Sequence, residues 1–162
     1  MKRACIAIVD GNTARLYAYQ QDDNDQPQLQ EQKDLVNVQR RAKDEDLYST
    51  TKPGSRYQEG GRGSTDDHRD ANRAHHDEEF ASQVIDEVAD LVRTNGFGHV
   101  VLVSSPKMLG SLRHYEDRLT KQGITIDEVQ RDLTRMTSPQ IHDHLAAMNI
   151  IEPRGRLTFA RR

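Results

Sequence analysis

Apolar positions along this chain change period repeatedly, and each change marks an element. Ala4 to Val9 is a nearly unbroken β-prone run, the mark of a strand covered on both faces. Asp10-Gly11-Asn12 supplies turn chemistry. Ala14, Leu16 and Ala18 then alternate with Arg15, Tyr17 and Tyr19, the period of two of a half-exposed strand. A polar turn from Asp22 to Pro27 leads to a third strand over Leu29 to Val38, completing an antiparallel meander.

Helical spacing takes over later. Phe80, Val84, Val88, Leu91 and Val92 form one apolar stripe on a long helix that should begin between Asp70 and Asp77 and stop at Gly96. His99 to Val103 reads as a short buried strand. Ser105-Pro106 is an N-cap with proline in the first turn of a helix whose face is Met108, Leu109, Leu112, Tyr115 and Leu119, closed by Gly123. Ile124, Ile126 and Val129 mark another strand, and Ser138-Pro139 opens a last helix carrying Ile141, Leu145 and Met148.

The order β-β-β, loop, α-β-α-β-α predicts a single α/β domain. Its sheet should be mixed, with an antiparallel N-terminal meander and a β-α-β crossover from His99 to Val129, broadly the ribonuclease H topology. The chain's 162 residues fit one such body over 1–152 and a basic tail over 153–162. Between Val38 and Glu78 the only apolar residues are Val38, Ala42, Leu47, Tyr48, Tyr57, Ala71 and Ala74. That composition predicts a long polar loop at about 39–73, of the kind that is either functional or disordered.

Charge narrows the function classes. Twenty-three basic and 26 acidic side chains give a net charge of −3, which excludes a surface that is basic throughout but leaves a local basic patch open. No stretch approaches the ~18 consecutive apolar residues of a membrane span. Cys5 is the one cysteine and lies inside the first apolar run, and that run is too short for a signal peptide. A cytoplasmic location is therefore expected. No phosphate-binding glycine loop, dinucleotide fingerprint or nucleophile elbow is present, and no cofactor is expected. The histidines His68, His75, His76, His142 and His144 lack the spacing of a metal site and read as solvated.

Candidate chemistry gathers in two places. If the first strand runs parallel to the two later ones, Asp10 and Asn12, then Ser104, Ser105 and Lys107, then Arg131, Asp132 and Thr134 all leave the sheet at one edge. Ligands usually bind there in open α/β sheets, and the helix opening at Pro106 would aim N–H groups at the same place. Each residue also has a plain structural use: Asp10 shapes a hairpin, Ser105 caps a helix, Asp132 fixes a turn. Two carboxylates are too few for two-metal phosphodiester cleavage. The second place is Gly60-Gly61-Arg62, with Arg56 nearby, where a backbone free of side chains and guanidinium forks could meet phosphates.

Several of these segments, taken in order, resemble the bacterial host attachment proteins, a family related to the middle domain of archaeal and eukaryotic peptide-release factors. They are Ile8-Val9-Asp10-Gly11-Asn12-Thr13-Ala14-Arg15-Leu16, Lys52-Pro53-Gly54, the acidic helix from His76 to Phe80, and Val101-Leu102-Val103. Pro106-Lys107-Met108-Leu109-Gly110-Ser111-Leu112-Arg113 and Arg131-Asp132-Leu133-Thr134 complete the set. Departures include Ser55 between Gly54 and Arg56, and Ser104-Ser105 where the family usually has alanine and proline. The counterpart of the release factors' Gly-Gly-Gln loop is Gly60-Gly61-Arg62, and arginine lacks the compact amide of glutamine. The resemblance implies a module that engages the ribosome, tRNA or structured RNA without demonstrated catalysis. Its rivals are a protein-interaction factor that affects attachment indirectly and a weak peptidyl-tRNA or ester hydrolase.

Overall fold

The computed structural model describes residues 2–39 and 62–155, and of residues 62–73 the helical backbone alone. Three strands open the chain: β1 (Ala4–Val9), β2 (Thr13–Gln21) and β3 (Pro27–Val36). The long helix α1 (Arg62–Asn95) leads into β4 (His99–Ser104). Then follow α2 (Pro106–Arg113), the single turn α3 (Asp117–Thr120), β5 (Thr125–Gln130) and α4 (Ser138–Ala147).

The strands form one sheet in the order β3-β2-β1-β4-β5. β1 pairs antiparallel with β2 and β2 with β3, while β1 and β4, then β4 and β5, are parallel. This is a single α/β domain on an open mixed sheet. The antiparallel meander and the parallel crossover strands stand where the hydrophobic pattern puts them.

β1 is buried along its whole length because the sheet is covered on both sides. Alternation splits it: Cys5, Ala7 and Val9 face the layer made by α1 and α2, with Phe80, Val84, Val88, Leu109 and Leu112. Ile6 and Ile8 face the opposite layer, where Ile141 and Leu145 of α4 close over Val101 and Val103. Burial pushes the Cys5 thiol up to about 12, so it carries no thiolate at neutral pH.

Three expectations need correction. α1 begins at Arg62, well before the Asp70–Asp77 start that the apolar stripe suggests. Its first turns carry no stripe to read, and among its described side chains the first buried one is Asp77. At ~1.5 Å per residue the helix is about 50 Å long, against about 20 Å for the six-residue strands it covers. The single helix expected from Pro106 to Leu119 is broken. His114 N donates to Ser111 O (3.2 Å) and Tyr115 N to Leu112 O (3.0 Å), so the ladder tightens to three-residue bonds before α3. His142 is not solvated: it is 2% exposed, and its Nε2 lies 2.8 Å from the Glu152 carbonyl.

The break between α2 and α3 places Glu116 beside Glu128 of β5, with one Glu116 oxygen buried and without a hydrogen-bond partner. Burial first, and Glu128 second, push Glu116 up to about 7. Glu128 is held low because Arg113 donates to it at 2.6–2.9 Å. A carboxyl raised in the folded state binds its proton more tightly there than in the unfolded chain. Stability from this group is therefore present at low pH and is lost as pH rises from about 4.5 to about 7. Glu116→Gln should raise stability at pH 8 by about 1 kcal/mol, after allowing for solvent screening, and by little at pH 4. Thermal melts at the two pH values check this, and an equal shift at both would contradict it.

Candidate functional site at the carboxyl edge of the sheet

Because β1, β4 and β5 are parallel, their carboxyl ends share one edge. Asp10 leaves β1 there. Its Oδ1 accepts from the amides of Asn12 and Thr13, both at 2.7 Å, which closes the turn into β2. Its Oδ2 accepts from the Thr134 hydroxyl at 2.9 Å, and that hydroxyl is also 3.0 Å from Asp132 Oδ1. Asp10, Asp132 and Thr134 are thus brought together, although the first and last are 124 residues apart.

The serines hold backbone. Ser104 is fully buried, and its hydroxyl donates to the Val9 carbonyl at 2.6 Å, tying β4 to β1 at their ends. Ser105 caps α2, accepting from Met108 N at 3.3 Å, and Leu109 N bonds to Ser105 O. With Pro106 lacking an N–H and the Met108 and Leu109 amides both engaged, the first turn of α2 offers fewer donors than the sequence led one to expect. Asn12 serves through its backbone: its carbonyl accepts from Asn37 N at 2.8 Å.

Residues that the sequence did not single out organise this edge. Asn37 is buried, and its side-chain amide donates to Gly11 O at 3.0 Å, so the chain leaves β3 directly beside the Asp10 turn. Arg15 of β2 forks onto Glu31 at 3.0 and 3.1 Å. Its Nη1 donates to the carbonyls of Thr134 (3.1 Å) and Met136 (2.5 Å). The same fork holds the Glu31 carboxyl below its ordinary range, while hydrogen bonding to Glu31 raises Asp34.

The cations divide into those with a carboxylate partner and those without. Among the described residues, Arg15, Arg93, Arg113, Arg118 and Arg154 each pair with a carboxylate, as does Lys33. Lys107, Arg131 and Arg135 do not, and all three are exposed at or beside the carboxyl edge; Lys2, Arg3 and Lys121 also lack a carboxylate, at the amino ends of the strands. Arg131 reaches only the Gln130 carbonyl, at 2.8 Å. No group of three or more His, Cys, Asp or Glu among the described residues is placed to hold a metal ion. Likewise, no helix of the described residues is long and apolar enough to cross a membrane. Arg56, Gly60 and Gly61 lie outside the described residues, as do 156–162; Arg62 opens α1, with its backbone alone described.

A family model described as "protein required for attachment to host cells" matches residues 5–145. The chain belongs to this family. A comparison with curated proteins gave no match. The family match takes in every edge residue named above and ends at Leu145 in α4. The described residues that follow, up to 155, remain attached to the body. Glu152 N donates to the Tyr19 hydroxyl at 3.0 Å, and Arg154 forks onto Asp143 at 2.7 and 2.8 Å.

Proposed function

We propose that this host attachment family member is a release-factor-like module that engages the ribosome, tRNA or other structured RNA, in a rescue, hibernation or stress role without proven catalysis. One observation carries the reading. The chain leaves the described body at Asn37, hydrogen-bonded to the Asp10–Asn12 turn, and α1 brings it back from the same side of the sheet. Arg56, Gly60 and Gly61 belong to the stretch of sequence that joins these two points and lie outside the described residues. The strand order supports a ribonuclease H-like arrangement akin to the release-factor middle domain.

Polyanion contact releases counterions, so its strength falls steeply with salt. The protein is expected to co-sediment with ribosomes at low salt and to be released as salt rises. Absence from the ribosome pellet at the lowest salt would remove the reading, because phosphate contacts are strongest there.

A further inference from the structure

A cation at the end of a strand or helix usually finds a carboxylate or is solvated alone. At this edge three exposed cations on two adjoining segments have no carboxylate partner. Ser104 pairs with Gln130 in the parallel ladder, and Arg131 N donates to Ser104 O at 3.1 Å, so Arg131 lies alongside the start of α2 that carries Lys107. Arg135 sits between Thr134 and Met136, the two residues whose carbonyls Arg15 grips.

The loop from Arg131 to Met136 is fixed at three points: the Arg131 amide on β4, the Thr134 hydroxyl on Asp10, and the Arg15 fork on the two carbonyls. The Asp10 carboxylate is turned to that purpose in full, the exposed Asp132 through one oxygen. Both oxygens of Asp10 accept bonds from within the fold, and Asp132 Oδ1 faces Thr134. Such a loop presents its charges without first having to order itself, which is what makes a small charged site effective.

We propose that Lys107, Arg131 and Arg135 form a preformed seat for the phosphate groups of a nucleic acid, with Arg15 as its positioning residue. Arg15 spends its own donors inside the protein and meets no phosphate; it sets where Arg131 and Arg135 stand. The inference rests on the RNA-engaging reading and locates a fixed contact for it, distinct from the glycine-arginine segment.

The test is fluorescence anisotropy of a labelled single-stranded RNA of mixed sequence, titrated with the full chain over a range of salt. Three phosphate contacts predict a slope of log affinity on log salt of about −2 for single strands. Lys107→Gln, Arg131→Gln and Arg135→Gln together should weaken low-salt binding at least about thirtyfold and flatten the slope. Arg15→Lys should weaken binding about three- to tenfold while leaving the slope near that of the parent, since no phosphate contact is deleted. Lys121→Gln, on the turn before β5, should change nothing.

Circular dichroism confirms that each variant is folded. A triple variant that binds like the parent overturns the seat but leaves ribosome association to stand through the segment at 40–61. Arg15→Lys at full affinity, or with the slope reduced by as much as a deleted cation, overturns the positioning role. A parent that ignores RNA yet binds poly-glutamate overturns the nucleic-acid assignment in favour of an acidic protein partner.

Discussion

Asp10→Ala is expected to lower folding stability by about 2–3 kcal/mol, because a carboxylate that satisfies two amides and a hydroxyl is removed at once. The amides of Asn12 and Thr13 would be left to find water at the end of a buried strand. Thr134 would keep only Asp132, and the loop that carries Arg131 and Arg135 would lose one of its three anchors. Asp10→Asn separates the contributions. Its carbonyl oxygen can still accept from the turn amides, and its NH2 can donate to the Thr134 oxygen, so a loss near 1 kcal/mol is expected. Urea unfolding of the two variants measures both. Identical midpoints for alanine and parent would show that the turn holds without its carboxylate.

The larger loss should come from the sheet's centre. Leu102 lies in β4 between β1 and β5, fully buried in the layer beneath α1 and α2. Leu102→Ala removes buried methyl groups where both flanking strands and two helices limit collapse of the space, and about 3–4 kcal/mol should be lost. A domain of this size has about 5–15 kcal/mol in total, so the variant should be close to unfolding at growth temperature. Val38→Ala is the contrast: Val38 is 71% exposed, and a change within about 0.5 kcal/mol is expected. Comparable losses for the two would mean that the sheet is not the structural centre described.

How much of this could be read beforehand follows from what kind of contact each residue makes. β1 was legible because burial on both faces removes polar residues from the run, and the Phe80–Val92 stripe was legible because one helix face packs on the sheet. The first turns of α1 hold Ala71 and Ala74 as their only apolar residues, so their helical state left no hydrophobic trace. The break after Arg113 was hidden because Tyr115 and Leu119 keep helical spacing across it.

At the edge, Asp10, Ser105 and Thr134 could be proposed from turn and cap chemistry together with strand direction. Arg15, Asn37 and Arg135 could not. In the sequence Arg15 is one polar member of an alternating strand; its role depends on carbonyls 119 and 121 residues away. Asn37 and His142 likewise owe their burial to backbone atoms supplied by other elements. Arg135 is distinguished only by the carboxylates that fail to reach it, a property of three-dimensional placement.

The central claim, that the carboxyl edge is the face presented to an RNA partner, is tested most directly by amide hydrogen exchange of the full chain with and without ribosomes. Added protection is predicted at the Asp10–Asn12 turn, across Ser105–Lys107 and through Arg131–Met136, with β3 and the outer side of α4 exchanging as before. Protection confined to β3 and α4, with the edge unchanged in the bound protein, would contradict it.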